Sequence, residues 1–220
     1  MSRRANTFIR QLGGPSTGLG YGRLYNWNAV SNANFTPTDY KVPTQTEWNT
    51  LITTLGGGTV AGGYLKEIGF VHWASPNTGA DNSSGFTSLG GGSRDGEDGS
   101  YLSLGEYGYY WTSTEFDSDL AYFSYQRYIN TVSYSYYYSK RGGVSLRLLY
   151  TGVGSPTTVT DYDGNVYDVI QIGTQYWTKQ NWKCTKLNDG TSIPEVTNAA
   201  TWAGLTTGAW CYYSNDPNNL

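Results

Sequence analysis

Residues 161–182 read DYDGNVYDVIQIGTQYWTKQNW, and this stretch turns back on itself twice. Asp163-Gly164 is a strong hairpin-turn signal, and Val166–Ile172 after it alternates as a strand does. Gly173-Thr174 then turns the chain into Gln175–Trp182, and Asn188-Asp189-Gly190 marks a further turn. Upstream, Val144–Leu149 (VSLRLL) reads as a strand with Val144, Leu146 and Leu148 on one face. Between them, Tyr150–Thr160 (YTGVGSPTTVT) reads as a connector that separates a long front part from a 60-residue rear part. Neither part has an obvious complete core by itself.

Helices are few. Thr44 with Glu47 forms a capping box, and Trp48, Leu51, Ile52 and Leu55 follow at i, i+3, i+4 and i+7, so a helix is expected over Gln45–Leu55. Gly56-Gly57-Gly58 ends it. Shorter helices are expected around Thr59–Lys66 and Asn198–Gly204, the latter with Trp202 inward. Glycine, 29 of 220 residues, is about twice its usual ~7% share, and eight tryptophans need burial. The composition is that of a compact, loop-rich, β-containing protein.

The face of such a protein is written in Tyr101–Tyr138, which holds eleven of the chain's 21 tyrosines. Ser, Asp, Asn and Thr separate the rings, where a core strand would carry Val, Ile and Leu. Tyrosine among Ser, Asn and Gly is the composition of a paratope: large rigid contact area with a hydroxyl handle. The plainer alternative is a merely Tyr-rich or amyloid-like exposed sheet.

Other classes find less support. The net charge of −3 has no long run of one sign, so no nucleic-acid partner is expected. No window approaches the ~20 apolar residues of a membrane span, so no membrane insertion is expected. The start, MSRRANTFIRQLGGPSTG, has no apolar signal-peptide region, and Sec export is not expected. Arg3, Arg4 and Arg10 around Phe8, Ile9 and Leu12 read as a short arm, either frayed or docking onto a larger assembly. Cys184 and Cys211 lack histidine neighbours and do not read as a zinc site; a disulfide or two buried reduced thiols remain open. His72, in GFVHWAS, reads as a packed histidine. Asp95, Glu97 and Asp98 in a glycine loop read as a solvated turn in preference to a calcium site. Gly56–Gly58 and Gly90–Gly92 lack the lysine of a phosphate loop. No enzyme activity, metal or cofactor is expected.

Several motifs together carry a resemblance. The rear part has DGN-x-Y, IG-x-Q-x-W and NDG-x-x-IP, ending in a Tyr-rich Asn-Asp run. The front part has Tyr21-Gly22-Arg23-Leu24-Tyr25-Asn26-Trp27, Val42-Pro43-Thr44 with Glu47-Trp48, Gly85-Phe86, Tyr110-Trp111-Thr112-Ser113-Thr114-Glu115 and Gly143-Val144-Ser145-Leu146-Arg147. These resemble the opening and closing halves of the Fibrobacter succinogenes major paralogous domain, itself similar to formylglycine-generating-enzyme-like proteins. The resemblance implies an α+β, C-type-lectin-like fold with a twisted antiparallel sheet, two or three short helices and long loops. Two cysteines often found in the family are missing, Tyr40 and Leu148 standing nearby. The oxidase's reactive cysteine pair belongs to the closing half, which has no cysteine here, so that activity is not expected to transfer.

The halves also stand in reversed order. This implies an arm over 1–17 and one permuted domain over 18–220: closing half 18–149, connector 150–159, opening half 160–220. The halves then meet either within one chain or by a swap between chains; a homo-oligomer, a trimer, is the expectation. The stretch Asp117–Tyr138, just before the closing motif, resembles the region diversified in variable proteins of phage diversity-generating retroelements. That implies ligand binding by Asp117, Asp119, Tyr122, Tyr125, Arg127, Tyr128, Tyr134, Tyr136, Tyr137 and Tyr138. The tyrosines are expected on one exposed face, with Asp117, Asp119 and Arg127 at its rim. The expected function is a virion fibre protein, on tail or head, that attaches to a host-surface protein or glycan and docks other virion proteins through its arm. A structural, capsid-decorating protein without a ligand is the alternative, and a bacterial cell-surface adhesin a third.

Overall fold

A computed structural model describes residues 20–220. The expected arm over 1–17 lies outside them. The front part runs β1 (Leu24–Tyr25), α1 (Trp27–Val30), β2 (Tyr40–Lys41), α2 (Gln45–Thr54) and α3 (Gly58–Leu65). Then come β3 (Gly91–Arg94), β4 (Tyr101–Leu104), β5 (Tyr107–Glu115), β6 (Leu120–Arg127), β7 (Ser133–Ser139) and β8 (Leu149–Tyr150). The rear part adds β9 (Thr158–Thr160), β10 (Val166–Ile172), β11 (Gln175–Thr178), α4 (Ala199–Ala203) and β12 (Trp210–Cys211). Two five-stranded sheets result, ordered β2-β8-β11-β10-β9 and β4-β3-β5-β6-β7, with a two-stranded β1-β12 pair. All pairings are antiparallel except β3 with β5. The architecture is α+β and C-type-lectin-like.

Local chemistry accounts for the elements. The α2 capping box forms: Thr44 accepts from the Glu47 amide, and the Glu47 carboxylate accepts from the Thr44 amide at 2.8 Å. Its buried stripe is Trp48, Leu51 and Ile52. Asn198 caps α4 through the Thr201 amide, leaving Trp202 fully buried. The β10–β11 hairpin closes at Ile172 opposite Gln175, across Gly173-Thr174.

Front and rear share their cores. Tyr25, Trp111 and Leu146 pack with Tyr167 and Trp182 in one cluster, and Trp48, Phe86 and Tyr110 with Ile172 and Trp177 in a second. Each such ring buries 150–250 Å², which neither part could cover alone. Polar ties cross the same boundary. The buried Arg94 guanidinium donates to the carbonyls of Val196 and Thr197, and Asn26 donates to Thr207 at 2.7 Å. Within this one chain the ends meet: the Gly20 amide donates to the Leu220 carbonyl at 3.1 Å. Completing the domain therefore needs no swap.

Two expectations are corrected. Val144–Leu149 is not one regular strand: Val144 and Ser145 form isolated bridges to Tyr25 and Tyr110, and only Leu149–Tyr150 is β8. The reason is burial on both sides. Val144, Leu146 and Leu148 enter the first core, while Arg147 turns the other way, over Phe86 at 4.7 Å. There its guanidinium bonds Asn181 at 2.6 Å and the carbonyls of Phe86, Thr87 and Thr178. The connector is also shorter than expected, because Tyr150 belongs to β8 and Thr158–Thr160 forms β9 against β10.

Candidate ligand-recognition site

The register of three strands builds the site. Tyr107 lies opposite Arg127, Tyr109 opposite Tyr125, and Trp111 opposite Phe123. Across the next seam, Tyr125 lies opposite Tyr134, Phe123 opposite Tyr136, and Ala121 opposite Tyr138. Because side chains alternate with period two, these residues share one face of the sheet. The reverse face carries Tyr110, Ser124 and Gln126 into the interior, where Gln126 bridges the hydroxyls of Ser88 and Ser133.

On the outer face the rings stack along and across strands. Tyr107 and Tyr109 lie 5.2 Å apart and 8° from parallel; Tyr125 and Tyr134 lie 4.8 Å apart at 13°. Phe123 packs against Tyr125 at 5.5 Å. An open groove of about 330 Å³ is lined by Tyr107, Tyr109, Phe123 and Tyr125, together with Ser93, Asp95, Leu102 and Ser103. That volume lies at the small end of ligand pockets, ~300–1,000 Å³.

Its polar groups are few and placed. The Tyr138 hydroxyl donates to Asp95 Oδ2 at 2.9 Å, while Asp95 Oδ1 accepts the Glu97 amide at 2.7 Å. Burial, and then the Asp95 carboxylate, push the Tyr138 phenol well above its ordinary value. Burial, and then neighbouring Tyr107 and Tyr125, do the same for Tyr109; Tyr125 shifts upward from burial first. These phenols stay neutral at physiological pH. The Arg127 guanidinium lies over the Tyr107 ring at 5.3 Å.

The structure places the expected site residues unevenly. Tyr125, Tyr134, Tyr136 and Tyr138 share the groove face, although Tyr138 is only partly exposed and packs on the core. Tyr122 and Tyr137 lie opposite each other in the reverse register. Strand alternation separates them from their neighbours, a periodicity hidden in the run Tyr136-Tyr137-Tyr138. Tyr137 still reaches the groove's outer end, stacking on Phe116 at 4.1 Å and Tyr136 at 4.4 Å. Tyr128 has left the sheet: its amide donates to Glu106, and its carbonyl accepts from Thr78. Asp117 and Asp119 sit in the β5–β6 loop. There Asp117 Oδ1 accepts the amides of Asp119 and Leu120, both at 2.8 Å, and Lys140 binds the Asp117 carbonyl. Asp117 therefore shapes its own loop. Sequence reasoning missed Tyr107, Tyr109, Phe123 and Asp95. Tyr107-Gly108-Tyr109, with rings two apart, carried the signal for one face.

The remaining candidates are also placed. His72 Nδ1 lies 2.7 Å from Glu67 and its ring meets Tyr21 edge-on at 4.8 Å. Cys184 and Cys211 are free, buried thiols, each pushed up to about 11 by burial. Asp95 and Asp98 accept amides of their own turn, from Glu97 and Ser100. Among the described residues, no three His, Cys, Asp or Glu side chains are grouped to hold a metal ion, and no helix is long and apolar enough to cross a membrane.

The frame that carries this groove is α+β and C-type-lectin-like. The model of the Fibrobacter succinogenes major domain matches residues 3–149, and the chain belongs to that family. No curated protein and no solved structure matches the chain.

Proposed function

We propose that this chain is a non-enzymatic recognition module, carried on a phage virion as a tail or head fibre protein, that attaches through its tyrosine face to a host-surface protein or glycan. The observation that carries the reading is the open groove, lined by half-buried tyrosine rings that pack on the core and by the exposed Tyr136. Buried aromatic anchors of this kind supply most of the binding energy in recognition interfaces. Diversification by a retroelement fits the placement of Tyr134, Ser135 and Tyr136 on edge strand β7, where exchange disturbs little of the core. Virion partners through the 1–17 arm and a trimeric assembly belong to the same proposal.

The test is a Tyr125→Ala, Tyr134→Ala, Tyr136→Ala triple variant. Host-cell binding is expected to vanish, with the melting temperature within a few degrees of the parent. Unchanged binding would overturn the reading, and a collapse in stability would make these rings core. A capsid-decorating or fibre role without a ligand draws on a different observation: Ile68, Phe70 and Val71 are 64%, 64% and 72% exposed on one loop. Loss of the trimer in light scattering on Phe70→Ser, together with no host-cell binding by the parent chain, would favour that role.

A further inference from the structure

The groove's lining is lopsided in charge. Tyr107, Tyr109, Phe123, Tyr125 and Tyr138 supply ring faces, and the ionisable side chain among them other than phenols is Asp95. Glu97 stands close enough to act on the Tyr138 phenol. Among the described residues no lysine or arginine lines the groove. Elsewhere this chain lays its own cations on rings: Arg23 on Trp210 at 4.3 Å, Arg94 on Trp202 at 4.5 Å, Lys140 on Trp27 at 4.7 Å. Arg127 lies over Tyr107. Of the remaining groove rings, Tyr109, Tyr125 and Tyr138 have neutral phenols and Phe123 has none. Asp95 is the carboxylate beside them, and among the described residues the nearby cation is Arg127, whose charge reaches the Tyr109 and Tyr125 phenols.

We propose that the groove takes an organic cation, a quaternary ammonium or a guanidinium, held over the ring faces with Asp95 as the counter-charge. The inference rests on the recognition reading above and names the chemistry of what is recognised. A ring face attracts a cation through its quadrupole, most strongly when the cation sheds water easily, as alkylated ammonium and guanidinium do. Asp95 suits the role of fixed counter-charge because the Tyr138 hydroxyl and the Glu97 amide hold its carboxylate in place. A neutral ligand of the same shape would gain the apolar contact and lose the charge term.

Isosteric probes test this on the whole chain. Choline and 3,3-dimethylbutan-1-ol differ by a charged nitrogen in place of a carbon; N-acetyl-arginine amide and the citrulline analogue differ by the guanidinium charge. Titration by calorimetry, with NMR of the tyrosine rings, is expected to show each cation binding about tenfold or more tighter than its neutral partner. The stronger of the two cations assigns the source: a free quaternary amine, or an arginine side chain on a protein ligand. Tyr109→Leu and Tyr125→Leu should abolish the cation's binding. Tyr109→Phe should retain it, because the ring face carries the contact, and thermal melts show that each variant folds. Equal binding of charged and neutral probes would overturn the cation while leaving a functioning groove. Absence of cation binding, with cell attachment still dependent on the tyrosines, would overturn it and leave the recognition reading standing. Failure of both the probes and the triple-variant test would remove the recognition reading itself.

Discussion

Gly62 sits inside α3, where helix propensity alone favours alanine over glycine by about 1 kcal/mol. A Cβ there would stand 2.5 Å from the Val132 carbonyl oxygen, against the backbone entering β7. Gly62→Ala is therefore expected to lower stability by about 1–3 kcal/mol in chemical denaturation, against the propensity. A more stable variant would show that the turn yields freely. Glu47 offers a pH test. Burial raises its carboxyl, but the Lys41 ammonium at 2.6 Å and the Thr44 amide and hydroxyl outweigh burial and hold it below the ordinary 4.5. A depressed carboxyl contributes stability that is present above its unfolded value and lost as pH falls through its folded value. Glu47→Gln should thus be less stable than the parent at pH 7, the gap closing as pH falls through the lowered value of the Glu47 carboxyl; a gap constant with pH would refute it. The capping box was legible in sequence because both partners lie within four residues. Arg147 was not, because an arginine between leucines reads as solvent-facing until its four acceptors are known.

Lys66, just past α3, is fully buried, no carboxylate pairs with it among the described residues, and its ammonium donates to the carbonyls of Thr78, Arg127 and Asn130 at 2.9–3.0 Å. Burial pulls it down to about 8. The side chain is a strut fixing the β6–β7 turn, and with it the register that faces Tyr125 with Tyr134. Lys66→Met should cost about 1–3 kcal/mol and speed amide exchange over residues 127–132, since three carbonyls lose their donor. Protection unchanged there would dismiss the strut. At this scale the sequence shows the hairpin over 161–182 and helix α2, where local turns and spacing decide. It conceals which tyrosines share a face. Tyr122 and Tyr125 are three apart and fall on opposite faces, and only the pairing of β6 with β5 and β7 reveals the set.

At the scale of the molecule, the rear part cannot be read alone. Strands of the front part and of the rear part stand side by side within one sheet, β2-β8 joined to β11-β10-β9 through the β8–β11 pairing, so each lends the other its apolar cover. The loop between them is the least embedded backbone crossing: Val153 is fully exposed. Limited proteolysis is expected to cut within 151–157 and leave two fragments that co-elute and melt together. Separation of the fragments without denaturant would contradict the shared core. The motifs made it readable from sequence that the two parts need each other's apolar cover, while the meeting of Gly20 and Leu220 was not readable, because it is a backbone bond between residues two hundred apart.

The meeting of Gly20 and Leu220 has a mechanical consequence. In the β1–β12 pair, Leu24 faces Cys211 and Tyr25 faces Trp210, so the segments leading to Gly20 and from Leu220 leave the same end of an antiparallel ladder. Tension between those two points would open the ladder as a zipper, one hydrogen bond at a time, and would not load its rungs together in shear. The body would yield first at this seam and at low force, whereas a pull between Gly20 and the tyrosine strands would be borne by whole sheets.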